Sequence, residues 1–248
     1  TGVDGFTYGI YANGEGGNGC TFQDVSLTGS DIGFYNLDAD NFNVWQWYGG
    51  KIQQCLKGMH VGGASFDIAS IDFSLNTVNA IHLENASEGR IKIYSEGIGP
   101  LTDGNTASVI RVTNSELIDI TNSRINAGGS GGSYTNNCGY GIYLEESNQI
   151  NIKTNLYIGS QIADVFVDED CYDIFIAPDN VKTLDLNDAN SLIKVSDNTP
   201  RRINNAIKGK QLPIQGSYHP IDARSYRNLI TSPSNFGDPF WSLSQGAM

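Results

Sequence analysis

Residues 141–158 read Gly-Ile-Tyr-Leu-Glu-Glu-Ser-Asn-Gln-Ile-Asn-Ile-Lys-Thr-Asn-Leu-Tyr-Ile, and this stretch contains the pattern that decides the fold. Two short segments, residues 141–145 and 150–152, alternate apolar and polar side chains and are separated by a polar turn. Alternation with a period of two is typical of a strand that buries one of its sides. The stretch therefore predicts two consecutive β-strands whose Ile and Leu side chains point into a core.

The same unit recurs along the chain. Copies of its first strand lie at residues 9–13, 33–36, 80–84, 109–113 and 164–168, with a degraded copy at residues 55–58. The marker residues Ile10, Phe34, Leu56, Ile81, Ile110, Ile142 and Val165 are 24, 22, 25, 29, 32 and 23 residues apart. Such a period with variable insertions is typical of a β-solenoid, in which each repeat packs on its neighbours. We therefore expect an all-β fold, a right-handed single-stranded parallel β-helix, over residues 1–187.

Other architectures fit the sequence less well. The leucine spacing of leucine-rich repeats is absent, and a propeller or sandwich would need several hairpin turns of the Asn13-Gly14 kind. After residue 187 the repeat pattern fades. Residues 188–225, with Thr199-Pro200, are interpreted as a linker or as a cap over the open end of the solenoid. Residues 226–248 are interpreted as the truncated start of a further β module.

The acidic composition limits the partners. The chain has 15 Lys and Arg residues against 27 Asp and Glu residues, a formal net charge of −12. Such a surface repels phosphate backbones and anionic headgroups, so we expect neither nucleic-acid binding nor membrane insertion. The four cysteines are widely spaced, and no Cys or His pair has the short spacing of a metal site. We expect free thiols, with one or two disulfides as the alternative, and neither a metal nor a cofactor.

Alternation also predicts which side chains face solvent. If Ile81 and Leu83 point inward, then His82 and Glu84 point outward. Stacking the repeats arranges the outward side chains in two columns, with a rise of about 4.8 Å per turn. The first column holds Tyr11, Tyr35, His82, Arg111, Tyr143 and Phe166, and the second holds Asn13, Glu84, Thr113, Glu145 and Asp168. Rings beside carboxylates suit a sugar chain, because rings pack on pyranose faces and carboxylates accept hydrogen bonds from hydroxyls.

Glycoside hydrolysis needs two carboxyl groups about 5–10 Å apart. Glu145 and Asp168 occupy equivalent positions in adjacent copies and form the leading catalytic pair, with Glu84 as the alternate member. The other interpretation is that these are ordinary solvated carboxylates. The predicted substrate-binding residues of the columns are Tyr143, Phe166, His82 and Arg111.

Two further pairs of residues have open assignments. Trp45 and Trp47 share one side of a strand and form either a further sugar platform or an aromatic stack inside the solenoid. His60 and His82 are possible acid–base groups or metal ligands. Because neither has a partner at ligand spacing in the sequence, they are interpreted as surface or packing residues.

The coils at residues 141–158 resemble those of the pectate-lyase-like β-helix superfamily. Residues 228–241 resemble the opening strand of the modules that follow the repeats in phage tail proteins, so the chain is similar to a bacteriophage tailspike or tail appendage protein. The resemblance implies a homotrimer on the virion, assembled in the host cytoplasm, whose partner is a host surface polysaccharide. It implies a hydrolase-type depolymerase of capsule, O-antigen or teichoic acid. The alternatives are a non-catalytic receptor-binding spike, a polysaccharide lyase or a structural segment of a longer fibre.

Overall fold

The structure is a computed structural model that describes residues 6–12, 19–37, 42–98, 107–127, 138–160 and 162–177, and the backbone of three later strands at residues 181–182, 191–195 and 203–205. Within these residues all regular structure is β-strand and no helix occurs. Neighbouring strands pair in parallel and form a β-solenoid of about 6 turns. The all-β class and the parallel solenoid expected from the repeats are thus confirmed.

Each turn contributes one strand to each of three parallel sheets. The first sheet contains β1 (Phe6–Tyr11), β4 (Ser30–Asn36), β9 (Ser108–Thr113), β12 (Tyr140–Glu145), β15 (Ala163–Val167) and β18 (Ser191–Val195). The second contains β2 (Thr21–Gln23), β5 (Trp45–Tyr48), β10 (Glu116–Thr121), β13 (Asn148–Lys153), β16 (Ile174–Ile176) and β19 (Ile203–Asn205). The third contains β3 (Ser26–Thr28), β6 (Lys51–Gln53), β11 (Arg124–Asn126), β14 (Leu156–Ile158) and β17 (Val181–Lys182).

Two long strands join the three sheets into one hydrogen-bonded network. β7 (Lys57–Ser74) and β8 (Asn79–Glu96) each run through all three sheets and pair with one another along their length. The parallel pairing also continues through β18 and β19, which lie beyond the boundary at residue 187 predicted from the sequence. The predicted β module at residues 226–248, and the part of the predicted cap after residue 205, lie outside the described residues.

Equivalent apolar residues of successive turns stack inside the solenoid. On the first sheet the inward column contains Phe34, Met59, Ile81, Ile110, Ile142 and Val165, each no more than 1% exposed. Each such side chain contributes about 1.5–3 kcal/mol by leaving water. The register corrects one marker, because Met59 and not Leu56 pairs with Phe34 and Ile81. Leu56 lies at the corner before β7 and is 50% exposed.

The expectation of a surface sugar platform at Trp45 and Trp47 is wrong. Both indole rings have no exposed surface. Trp47 stacks on Phe22 with ring centroids 4.7 Å apart, and Trp45 stacks on Phe66 at 5.4 Å. The Phe66 ring in turn fills the space beside Gly89, where an added Cβ would overlap it. These rings are therefore an interior stack, the second of the two assignments that the sequence left open.

Buried polar side chains close the corners between the sheets. Asn155 accepts a hydrogen bond from the Ser123 N–H (2.9 Å) and donates from Nδ2 to the Ile120 carbonyl (2.9 Å). At another corner the Ser115 N–H donates to Ser147 Oγ in the next turn. Such bonds satisfy backbone groups that the corners would otherwise leave unpaired in the core. Cys20, Cys55, Cys138 and Cys171 are free thiols, as expected.

The corner bonds generate a stability prediction. Replacing Asn155 with Leu leaves the Ser123 N–H and the Ile120 carbonyl buried without this partner, each at a cost of about 1–3 kcal/mol. We expect Asn155→Leu to lower the free energy of unfolding by about 2–5 kcal/mol, measured by urea unfolding. The matched control is Asn151→Leu on the outward side of β13, which should change it by less than about 1 kcal/mol. If both substitutions lowered the free energy of unfolding equally, the result would contradict a stabilising role for the two hydrogen bonds of Asn155.

Candidate functional site

One outward column runs along the first sheet, and we call it the central column. Its members, in order along the stack, are Tyr11, Tyr35, His60, His82, Arg111, Tyr143 and Phe166. The register therefore brings together the six residues predicted from the sequence and adds His60 between Tyr35 and His82. A second outward column, the acidic column, contains Glu84, Thr113, Glu145 and Asp168. Asn13, predicted for the second column, lies outside the described residues.

Three aromatic rings cluster at one end of the central column. Tyr143 and Phe166 stack with centroids 4.7 Å apart and ring planes 16° apart. Tyr140 contacts both rings, with centroids 5.1 Å and 5.2 Å away. The guanidinium of Arg111 lies over the Tyr143 ring, 5.3 Å from its centroid. Because Tyr143 lies between Arg111 and Phe166, it presents its edge and its hydroxyl to solvent rather than a free ring face.

The tyrosine hydroxyls of this cluster remain protonated at neutral pH. Burial is the main cause that raises the pKa of Tyr143, and the nearby carboxylates Glu145 and Asp168 raise it further. Burial also raises the pKa of Tyr140. Both phenols therefore keep an O–H that can donate a hydrogen bond to a ligand oxygen.

The three candidate catalytic carboxylates lie in the acidic column but have different partners. Glu145 accepts a hydrogen bond of 2.6 Å from Arg111, an ion pair whose two side chains are about one-third exposed. Glu84 contacts Nε2 of His60 at 2.7 Å. Asp168 accepts the backbone N–H of Asp170 at 3.1 Å. Glu145 and Asp168 occupy adjacent turns, and Glu84 lies two turns from Glu145.

A second cluster lies at the middle of the central column. The imidazoles of His60 and His82 stack with centroids 4.4 Å apart and planes 8° apart. Lys57, which is one turn from His82, places Nζ 2.9 Å from Nδ1 of that ring. On the other side of the ring, Nε2 lies 3.4 Å from Oγ1 of Thr113. The spacing of the two histidines in the sequence suggested that each is isolated. In the structure they contact one another, and His60 also contacts Glu84.

Both imidazoles are neutral at pH 7. Burial is the main cause that lowers the pKa of His82 to about 3. Electrostatic interactions with Lys57, His60 and Arg111 lower this pKa further. Burial also lowers the pKa of His60, although the hydrogen bond to Glu84 opposes the change. The His60–Glu84 contact is therefore a hydrogen bond from a neutral imidazole to a carboxylate. Burial lowers the pKa of Lys57 as well.

Three residues of the site were missed by the sequence analysis: Lys57, His60 as a column member, and Tyr140. One signal could have found the first two. Residues 58–60, Gly-Met-His, repeat the small–apolar–His pattern of residues 80–82, Ala-Ile-His. Aligning these triplets gives the register that the structure shows, with His60 opposite His82. Tyr140 is the first residue of β12 and lies three residues before Tyr143, so alternation with a period of two does not predict that both side chains are partly exposed.

Comparison with known proteins gives no match to a family model, to a curated protein sequence or to a solved structure. Among the residues that the structure describes, no helix is long and apolar enough to cross a membrane.

The low pKa of His82 generates a pH prediction. The unfolded chain binds a proton at this residue near pH 6.5, whereas the folded chain does so near pH 3. Between these values the unfolded state binds more protons, so the His82 contribution lowers stability as the pH falls. In the His82→Gln variant we expect a smaller loss of unfolding free energy between pH 7 and pH 4.5 than in the unmodified chain. Urea unfolding at both pH values measures this difference, and an NMR titration of His82 with a midpoint near 6.5 would contradict it.

Proposed function

We propose that the first sheet binds an elongated polysaccharide of a host cell surface, and that the chain is part of a bacteriophage tailspike or tail appendage protein. The observation that carries this proposal is the juxtaposition of the Tyr140–Tyr143–Phe166 cluster with the Arg111–Glu145 pair on the outward side of the solenoid. Phenol hydroxyls, a guanidinium and carboxylates on an aromatic base form the mixture of groups that recognises sugar hydroxyls.

The repeat of the solenoid supports a long ligand rather than a small one. Equivalent outward positions recur about every 4.8 Å along the axis. A polymer of repeating units that lies along the first sheet therefore meets similar positions in register over several turns. The central column offers such positions from Tyr35 to Phe166 without interruption among the described residues.

Charge narrows the class of polysaccharide. The chain carries a net charge of −12, which opposes the approach of a highly anionic polymer. On the first sheet the cation Arg111 is paired with Glu145, and Lys57 lies close to Glu84 and His82. No large unpaired positive surface results from these side chains. We therefore propose a neutral or weakly anionic glycan as the ligand.

Cleavage of the glycan is a second candidate function, and one observation favours it. Glu145 and Asp168 occupy adjacent turns of the acidic column, where neighbouring backbones lie about 4.8 Å apart, and retaining glycoside hydrolases hold their two carboxyl groups roughly 5–5.5 Å apart. The Arg111 guanidinium holds Glu145 in place, so Glu145 is the candidate nucleophile or base. Asp168 would then be the acid. A lyase is less well supported, because two cationic side chains near these carboxylates, Arg111 and Lys57, already bind Glu145 and His82.

The remaining parts of the proposal follow from the tailspike assignment. The protein would be a homotrimer on the virion, assembled in the host cytoplasm. The sugar would then run along the outward first sheet of each protomer.

The binding proposal predicts a loss of affinity that is specific to one sheet. We expect Arg111→Ala and Tyr143→Ala each to weaken binding of the host polysaccharide by about tenfold or more, equivalent to about 1.4 kcal/mol. The third sheet provides a matched control, since Arg124 lies 4.5 Å over the ring of Tyr94. Arg124→Ala and Tyr94→Ala should leave the affinity within about twofold, measured by surface plasmon resonance on immobilised polysaccharide. Equal losses for the two pairs, or no loss for the first, would exclude the first sheet as the binding surface.

The cleavage candidate predicts a shortening of the polysaccharide, followed by size-exclusion chromatography. Glu145→Gln and Asp168→Asn should each slow it by about 100-fold or more while binding is retained. Glu116 is an exposed carboxylate of the second sheet, and the Glu116→Gln variant should shorten the polymer at the same rate as the unmodified chain. Binding without shortening by the unmodified chain would show that the protein only binds glycan. Products with unsaturated ends would show elimination instead of hydrolysis.

A further inference from the structure

The stacked histidines and Glu84 form a group of potential metal ligands. Nitrogen atoms of His60 and His82 and a carboxylate oxygen of Glu84 all lie within 4.8 Å of one another. Direct pairing of His60 with His82 in adjacent turns fixes the two backbones. Glu84 follows His82 by two residues on β8, so both side chains leave the strand on the same side. The register thus brings His60 together with two ligands that lie 22 and 24 residues after it in the sequence.

We propose that His60, His82 and Glu84 bind one divalent transition-metal ion of the zinc type, and that the ammonium of Lys57 beside His82 opposes its binding. Two imidazoles and one carboxylate are a donor set that zinc and related ions accept, with one position left for water or another oxygen ligand. The Glu84 side chain is 37% exposed, so the fourth position faces solvent on the first sheet.

Metal binding requires both imidazoles to reorient, because the in-plane lone pairs of two parallel stacked rings do not converge on one point. In a tetrahedral zinc site with Zn–N and Zn–O distances near 2.1 Å, ligand atoms lie about 3.4 Å apart. The Nε2–Oε2 contact of His60 and Glu84 would lengthen from 2.7 Å, while the stacked imidazoles, 4.4 Å apart, would tilt toward one another. Both are changes in side-chain torsion angles within turns whose backbones are hydrogen-bonded to one another.

The position of Lys57 beside His82 leads to a prediction that is specific to metal binding. Nζ of Lys57 lies 2.9 Å from Nδ1 of His82 and donates to that nitrogen, which fixes the other nitrogen as the N–H. A metal ion that takes Nδ1 must displace the ammonium, and the two positive charges repel one another. Removing the charge of Lys57 should therefore strengthen metal binding, whereas a residue that merely supports the fold would not have this effect.

Isothermal titration of the full chain with Zn²⁺ at pH 7.5, after treatment with a chelator, tests the proposal. We expect one equivalent to bind. His60→Gln and His82→Gln should each weaken that binding by more than about 100-fold, since even outer partners of metal ligands contribute about 10–100-fold. Lys57→Met should tighten it. The controls are Glu145→Gln, a carboxylate two turns away, and His219→Gln, which removes the third histidine of the chain.

A spectroscopic measurement keeps the test decisive if a variant is poorly folded. Co²⁺ bound to the unmodified chain should give the visible absorption of a four- or five-coordinate ion, and His82→Gln should abolish it while the β-sheet circular dichroism is unchanged. Absence of saturable Zn²⁺ binding by the unmodified chain would overturn the proposal. It would also be overturned by Zn²⁺ binding that survives the double change His60→Gln with His82→Gln, or by Lys57→Met weakening the binding.

Discussion

Parallel hydrogen bonding between consecutive turns is the constraint on which the rest of this structure depends. Where β7 pairs with β8, with register shifts only after Val61 and after Ala69, each paired residue lies beside its counterpart about 4.8 Å away. Apolar residues then bury one another inside, as Met59 and Ile81 do. Polar groups meet at the corners, where Asn155 binds the backbone of the preceding turn. Any loss of register would break all of these contacts together.

The same register determines the chemistry of the outer surface. Outward side chains at equivalent positions of neighbouring turns lie close enough to contact one another, so rings stack and opposite charges pair. Tyr143 packs between Phe166 and Arg111, and Arg111 in turn binds Glu145. This packing removes free ring faces from the surface and leaves edges, hydroxyls and carboxylates. A sugar bound here would therefore be held mainly by hydrogen bonds, with the rings as a rigid base.

The sequence predicts the outward columns well because alternation and period are local patterns. Arg111, Tyr143 and Phe166 stand in similar strands that repeat almost unchanged. The direction of Trp45 and Trp47 could not be predicted in this way, since Val44 is apolar but 54% exposed, with a positive φ of 55°, and shifts the start of the strand. The contact of Lys57 with His82 could not be predicted from the sequence either. The two residues are 25 positions apart in the sequence and lie in adjacent turns. The turn that contains Lys57 is aligned by Met59, and only the pairing register identifies Met59 as the equivalent of Phe34.

The outward columns and the two side-chain clusters support our proposal that the first sheet binds the ligand of this protein. The decisive measurement is a crystal structure of the chain with an oligosaccharide cut from the host surface polysaccharide. We expect sugar rings along the first sheet, with hydroxyls hydrogen-bonded to Tyr143 and Glu145. An oligosaccharide ordered on the second or third sheet, with the first sheet bare at saturating concentration, would contradict it.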